Sequence, residues 1–231
     1  MHTTVCPLTV VFDLDGTLVD TAPDLVGTLN ALLAGQGLQP IAITEARPMI
    51  GGGARKLIER GLRNHGLDWP RPMIDQLYAD YLAHYADHLA DCSRPFPGLQ
   101  VALETLAERG HRLAVCTNKL EWLSRRLLDA LGLTPHFVAI CGQDTFGIQK
   151  PDPQILLRTI DQAGGTPARA IMVGDSINDI EAARGAHVPV IGVDFGYSDI
   201  PIAALCPDRI ISDFRDLNAV IDDLSGQFQC G

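Results

Sequence analysis

Val10-Val11-Phe12-Asp13-Leu14-Asp15-Gly16-Thr17-Leu18-Val19-Asp20 is the stretch on which the reading of this chain turns. The apolar run from Leu8 to Phe12 has the length and composition of a buried strand. It ends in two aspartates, Asp13 and Asp15, followed by glycine and threonine. Like charges that close repel, and a buried strand end does not tolerate them unpaired. A divalent cation removes the conflict. Mg²⁺ favours hard oxygen ligands and is usually held by one or two carboxylates, with water and phosphate completing its shell. Gly16 permits a tight turn and lets a ligand approach the backbone. The stretch therefore predicts a cation and phosphate site at the C-terminal end of the first strand, where open α/β sheets place their ligands.

Working outward, the chain changes character twice. After Asp20 comes a helical stretch, Ala22 to Leu33, which Asp20 or Thr21 can cap and whose first turn Pro23 suits. A loop with a glycine triplet follows, from Ile43 to Gly53. Helical periodicity returns over Ala54 to His65, breaks at Trp69-Pro70-Arg71-Pro72, and resumes from Met73 to Leu89. Arg94-Pro95-Phe96-Pro97-Gly98 is a rigid, turn-rich joint. Beyond it, strands and helices alternate. The strands are Arg112 to Cys116, Phe137 to Cys141, Ala170 to Val173, Val188 to Val193 and Arg209 to Ile211. The helices are Leu99 to Arg109, Leu120 to Leu131, Pro153 to Ala163, Ile177 to Ala186 and Leu217 to Leu224. Such alternation predicts βαβ units, a parallel sheet and right-handed crossovers. The first strand must share that sheet, so the helical block is an insertion. The predicted organisation is a core of residues 1–20 and 93–231 carrying an inserted helical domain of residues 21–92. The insert leaves the core beside Asp13 and Asp15, placed to cover them as a lid.

Composition narrows the class. With 231 residues and 46% hydrophobic content, the chain can bury one large domain with a smaller insert. No apolar run approaches the roughly 18 residues of a membrane span, and the N-terminus lacks the features of a signal peptide. The six cysteines, Cys6, Cys92, Cys116, Cys141, Cys206 and Cys230, are scattered, which fits reduced thiols in a cytoplasmic protein. Cys116 and Cys141 lie in apolar runs and read as small core residues. A formal net charge of -10 argues against a nucleic-acid surface. It also means that an anionic substrate must be captured by local cations or a metal, against the overall field. The residues Ser225 to Gly231 read as a frayed tail.

Three later strand ends carry polar residues of matching chemistry. Thr117-Asn118-Lys119 offers a hydroxyl and backbone N–H groups for phosphate oxygens, although Thr-Asn is also ordinary turn chemistry. Lys150 precedes Pro151, which biases it to an extended backbone, and Asp152 and Pro153 suit a helix start. A lysine fixed there presents a point charge to phosphate and to a neighbouring carboxylate, or is simply solvated. Val173-Gly174-Asp175-Ser176-Ile177-Asn178-Asp179 places Asp175 on the rim shared with Asp13, unless Asp175 or Ser176 only caps the helix.

Asp13-Leu14-Asp15-Gly16-Thr17-Leu18, Thr117, Lys150 and the pair Asp175 and Asp179 occur in that order over essentially the whole chain. Together they resemble the four signatures of the haloacid dehalogenase superfamily, and the helical insert resembles its type 1 cap. The resemblance implies a Rossmann-like α/β core with an inserted α-helical cap domain. It implies Asp13 as nucleophile, forming an aspartyl-phosphate, and Asp15 as general acid and then base. It implies Thr117 and Lys150 as holders of the transferring phosphoryl group. It implies Mg²⁺ held by Asp13, the Asp15 backbone carbonyl and Asp175, with Asp179 in support; Mn²⁺ suits the same ligands.

The carboxylate at Asp15 is shared by the superfamily's phosphatases and phosphomutases and lacking in its dehalogenases and phosphonate hydrolases. The glycine run before the insert's helix, the Thr117-Asn118-Lys119 triplet and the string from Gly174 to Ala183 resemble phosphoglycolate phosphatases. That resemblance implies hydrolysis of a small phosphomonoester such as 2-phosphoglycolate. Gly51, Gly52 and Gly53 lead into a helix N-terminus that can bind a substrate carboxylate, with Arg55 assisting and Asn118 alongside. A hinge loop with a solvated arginine is the plainer reading of the same residues. Sugar-phosphate or nucleotide phosphatases and a β-phosphoglucomutase-like phosphomutase are the alternatives. A non-enzymatic binding protein of this fold would be expected to have lost one of Asp13, Asp15, Lys150 or Asp175. A small phosphorylated metabolite is the expected partner, met by a monomer or homodimer with no nucleic acid and no membrane.

Overall fold

The computed structural model describes residues 7–226. Along the chain these form β1 (Thr9–Phe12), β2 (Val19–Asp20), α1 (Ala22–Gly35), α2 (Ile43–Ala46), α3 (Ala54–Asn64), α4 (Arg71–His88) and β3 (Arg94–Pro95). Then come α5 (Leu99–Glu108), β4 (Arg112–Cys116), α6 (Glu121–Ala130), β5 (Ala139–Cys141), α7 (Pro153–Gln162) and β6 (Ala170–Gly174). The chain continues through α8 (Ile177–Gly185), β7 (Val190–Val193) and β8 (Arg209–Ile211) to α9 (Leu217–Ser225).

Six strands form one parallel sheet in the order β5-β4-β1-β6-β7-β8. β1 is central, with Val11 level with Ala114 on one side and Met172 on the other. Alternate residues of each strand face opposite layers, as the two-residue period of a strand requires. Val10, Phe12, Leu113, Val115, Ile171 and Val173 pack on the layer that holds α5, α6 and α9. Val11, Ala114, Cys116, Ala139, Cys141 and Met172 pack on the layer of α7 and α8. Both faces of the central strands are covered, so β5, β6 and β7 are wholly apolar, and arginines stand only at the exposed starts of β4 and β8. Cys116 and Cys141 are buried and free, as their setting predicts. Cys6, Cys230 and most of the tail from Ser225 to Gly231 lie outside the described residues. Among the described residues, no helix is long and apolar enough to cross a membrane.

The order β5-β4-β1-β6 reverses direction at β1, since the chain moves to one side through β4 and β5 and to the other through β6 and β7. Loops after β1, β4 and β6 therefore converge at one rim, the crevice in which doubly wound sheets bind ligands.

Between β2 and β3 stand the four helices α1 to α4. α1 packs against α3 and α4 through Leu25, Leu29, Leu57, Ile58, Leu62, Leu77 and Tyr81. The two connections to the sheet are stitched together. Val19 pairs with Pro95 and Asp20 with Arg94 in a short antiparallel ribbon. The Asp24 carboxylate accepts the Ser93 N–H at 2.7 Å and the Ser93 hydroxyl at 2.6 Å, and also takes the Cys92 N–H.

Several boundaries differ from those the sequence predicts. The segment from Ile43 to Gly53 is not all loop: α2 and a 3₁₀ turn, Arg47–Met49, occupy its first half. The predicted break at Trp69 to Pro72 ends earlier, because Pro72 sits in the first turn of α4, where its missing N–H has no intrahelical partner to lose. Strand β5 begins at Ala139 rather than Phe137, after a 3₁₀ turn at Thr134–His136, and β7 at Val190 rather than Val188. Thr21 is the N-cap of α1 but its side chain caps nothing; the hydroxyl bonds Asp15 at 2.8 Å instead.

Candidate active site

Asp13 follows the last residue of β1, and its N–H still donates to Val173 of the neighbouring strand at 2.9 Å. That bond fixes the backbone, and the side chain projects from the strand end. One Asp13 carboxylate oxygen accepts the Leu14 N–H at 2.7 Å and meets Lys150 Nζ at 2.8 Å. Lys150 Nζ also lies 2.6 Å from Asp179 Oδ1. The lysine side chain is 1% exposed, so this is a desolvated ion triad rather than a surface pair. Such triads hold only when every partner is placed, and the loop around Lys150 is placed by Asn118. Its amide accepts the Lys150 N–H at 2.8 Å and donates to the Lys150 carbonyl at 3.1 Å.

Asp179 spends its other oxygen on Ser176, taking the N–H at 3.0 Å and the hydroxyl at 2.7 Å. This is a capping box at the start of α8, so the capping expected of Ser176 is real and coexists with the site. Asp175 accepts the Thr17 hydroxyl at 2.9 Å and the Tyr197 N–H at 2.8 Å. Asp13, Asp175 and Asp179 are all buried, and one oxygen from each lies within 4.8 Å of the others. Gly16, with φ +86°, lets this crowd close: a Cβ there would stand 2.7 Å from Asp175 Oδ2.

Three buried carboxylates against one lysine leave excess negative charge. Burial pushes the Asp13 carboxyl up to about 6, with Asp179 adding to the rise and Lys150 opposing it. Burial, then the charges of Asp13 and Asp179, push Asp175 up to about 8. Burial alone would lower Lys150, but Asp13 and Asp179 more than offset it and hold the ammonium well above the usual lysine range. The donor set is all hard oxygen and the local charge is uncompensated, which is the environment that suits Mg²⁺ or Mn²⁺. Asp13 and Asp175 keep lone pairs for such an ion. Asp179 accepts three bonds, one from Lys150 and two from Ser176, against two at Asp175 from Thr17 and Tyr197.

Asp15 is not in that cluster. Its carboxylate turns into the adjoining cavity, where Lys119 Nζ meets its two oxygens at 2.8 and 3.0 Å and Thr21 adds the hydroxyl already noted. A metal bond from Asp15 would therefore come from its backbone carbonyl, as the sequence resemblance implies. The cavity lies between the strand ends and the insert. Asp13, Asp15, Thr117, Asn118 and Lys119 form its floor, and Leu25, Ile50, Leu57, Tyr78, Tyr81 and Tyr85 its walls. Thr117 presents its hydroxyl there while accepting the Lys119 N–H at 3.2 Å.

The residues expected from the insert divide. Gly51 lines the cavity, and its carbonyl accepts from Asn118 at 3.3 Å and from Asn178 at 3.2 Å. These two core amides seat the insert on the strand ends. Gly53 and Ala54, at the start of α3, also line it, whereas Gly52 faces the neighbouring crevice beside Asp175 and Asn178. Arg55 does not line the cavity. It pairs with Asp75 at 2.5 Å and lies over the outer side of the Tyr78 ring, 4.7 Å from the centroid. The Asp75 carboxylate on the adjacent helix α4 takes its charge instead.

Three residues of the site carry no clear mark in the sequence. Lys119 reads there only as the end of a turn triplet, although its place at a strand end after Thr117 is a usable signal. Tyr85 has the helical spacing of a core residue. Tyr197 follows β7 with no motif around it, yet its hydroxyl bonds Asp20 at 2.5 Å and its N–H bonds Asp175, tying the insert's hinge to the acidic cluster.

The chain is similar to known proteins over most of its length. The family model described as haloacid dehalogenase-like hydrolase matches residues 10–193. A phosphoglycolate phosphatase of Agrobacterium fabrum is 49% identical over 91% of this chain and 91% of its own length. One from Mesorhizobium japonicum is 47% identical over 90% and 92%. The crystal structure of a predicted phosphoglycolate phosphatase from Haemophilus somnus superposes with a TM-score of 0.87 at 31% identity, covering 96% of this chain and 100% of that one.

Proposed function

The chain belongs to the haloacid dehalogenase-like hydrolase family, and on that premise we propose that it is a Mg²⁺-dependent phosphatase hydrolysing 2-phosphoglycolate through a phosphorylated Asp13. The observation that carries the reading is the buried set Asp13, Lys150, Asp175 and Asp179 at one rim of a parallel sheet. Relatives covering nine-tenths of the chain and named phosphoglycolate phosphatase support the substrate.

The residues divide the work. An Asp13 carboxylate oxygen attacks phosphorus as the bond to the leaving oxygen breaks, leaving the phosphoryl group on Asp13. Asp15 gives its proton to the departing alkoxide, then takes one from the water that attacks the phosphorylated aspartate and releases inorganic phosphate. Lys150 and the Thr117 hydroxyl hold the phosphoryl oxygens, and the triad with Asp179 keeps the ammonium in place. Asp13, Asp175 and the Asp15 carbonyl would hold Mg²⁺, which supplies positive charge between two anions that otherwise repel. The helical block of residues 21–92 acts as the cap. Its apolar walls exclude water while Gly51 seats it on Asn118 and Asn178.

The test is release of free phosphate from a panel of small phosphomonoesters, with and without Mg²⁺, by wild type and Asp13→Asn. Metal-dependent release from 2-phosphoglycolate that vanishes in the variant is the expected result. Preference for a sugar phosphate or nucleotide would reject the substrate, and isomeric products with little free phosphate would indicate a mutase. No reaction with any ester, in a folded protein that binds Mg²⁺, would reject the phosphatase reading.

A further inference from the structure

The transferring phosphate has its cations in Lys150 and the metal, but the far end of an anionic substrate needs its own. Among the described residues lining the cavity, Lys119 is the one cation. It is 7% exposed, so its charge acts at short range in poor solvent. An ammonium has three donors, and Asp15 engages two at most. The nitrogen also sits 4.6 Å from the centroid of the Tyr85 ring.

Tyr85 supplies a second, independent sign. Its side chain is 1% exposed and lines the cavity, and its hydroxyl has no hydrogen-bond partner. Its stacked neighbour Tyr81 is satisfied, donating to the Leu25 carbonyl at 3.0 Å. A buried hydroxyl without a partner costs about 1–3 kcal/mol, and this one belongs to a side chain lining a cavity, where a ligand can complete it. Opposite stands the N-terminus of α3, an eleven-residue helix with no side-chain cap. Its first turn at Gly53 and Ala54 faces the same space.

We propose that Lys119 and Tyr85 form the subsite for the non-transferred carboxylate of a short phosphoryloxy acid, Lys119 moving part of its charge from Asp15 to the substrate. The inference rests on the phosphatase reading and deepens it. It replaces Arg55, whose charge is spent on Asp75, as the cation that reads the substrate's second anion. A neutral ester of the same length would leave Lys119 on Asp15 and the Tyr85 hydroxyl unbonded. The site therefore selects its substrate at a residue of the core, beside the chemistry, as well as in the cap.

The experiment compares kcat/KM for 2-phosphoglycolate and for ethyl phosphate, which keeps the chain length and lacks the carboxylate. Wild type is expected to favour 2-phosphoglycolate strongly. Lys119→Met is expected to lower that ratio by about 10- to 150-fold, as loss of a charge-assisted bond of about 1.5–3 kcal/mol implies. Tyr85→Phe removes only an oxygen that bonds nothing in the fold. It is expected to lower the ratio about tenfold with a melting temperature no lower than that of wild type. Equal losses on both esters in the two variants would reduce the pair to a structural role and overturn the proposal. So would a wild type indifferent to the carboxylate. A wild type that hydrolyses neither ester, nor any other, would instead fell the phosphatase reading on which the subsite stands.

Discussion

The two walls of the cavity are built on opposite terms. On the core side, Asp13, Lys150, Asp175 and Asp179 are all at most 6% exposed, and each is held by at least two partners. On the insert side, the wall is leucine, isoleucine and tyrosine, and the Gly51 carbonyl seats it on the Asn118 and Asn178 amides of the core. Strand ends are rigid and can hold like charges within a few ångströms of one another. A helical insert hung on a two-residue ribbon cannot, and what it gives the cavity is an apolar wall. Substitutions on the core side should therefore abolish chemistry, while those on the insert side should change how well substrate is held.

The largest expected effect is that of Asp13→Asn. Loss of the proposed nucleophile should lower kcat by about 10⁴-fold or more, read as phosphate release, with the fold intact by circular dichroism. Retention of about a tenth of wild-type activity would break the comparison at its strongest point. Lys150→Met comes next, because it strands two buried carboxylates. It should cost about 3–5 kcal/mol in a urea titration without metal, and a loss below about 1 kcal/mol would show that the triad is not desolvated.

The same excess charge predicts a pH dependence. Folded Asp175 keeps its proton up to about 8 and Asp13 up to about 6, while unfolded carboxyls lose theirs near 4. Between those values the folded state binds more protons than the unfolded one, so stability falls as pH rises. Protein stripped of metal with EDTA should melt about 5 °C lower at about pH 8 than at about pH 5.5. Mg²⁺ added at the higher pH should restore it, since the ion replaces the lost protons. A flat profile would contradict the charge balance drawn for the cluster.

On the insert side the expected effects are smaller. Gly53 has φ +85°, and a Cβ there would meet the Asn118 carbonyl at 3.3 Å. Gly53→Ala should cost about 1–2 kcal/mol and raise KM more than it lowers kcat, as the start of α3 is pushed off the Asn118 carbonyl. Equal effects on both would place the insert within the chemistry. Arg55→Ala breaks an exposed pair and should cost less than about 1 kcal/mol, with kcat and KM within about twofold of wild type. A large rise in KM would return Arg55 to the substrate.

Much of the molecule is legible in its sequence, and the reason is periodicity and chemical economy. Leu8 to Phe12 and Ala170 to Val173 are apolar because both faces of their sheet are covered, and Asp13 and Asp175 stand out against them. The parallel sheet, the insertion after β1 and the meeting of Asp13 with Asp175 follow from where carboxylates end apolar strands, whereas Lys150, in a loop beyond β5, and Asp179, inside α8, are expected beside them only through the family resemblance. Short helical turns such as Ile43–Ala46 are not legible, because four residues carry too little periodic signal.

What only the tertiary structure decided is which partner each polar side chain takes. Arg55 beside a glycine-rich helix start has the composition of an anion site, but Asp75 lies nearer on the neighbouring helix. Thr21 has the position of a helix cap but bonds Asp15, and Lys119 reaches the same carboxylate from a loop 104 residues away in sequence. Tyr85 has the spacing of a core residue, and only the missing partner of its hydroxyl marks it as more. Sequence determines the type and order of groups, because strand and helix patterns are local. Pairing among charges depends on distances of a few ångströms between elements far apart in the chain, and those distances exist only after packing.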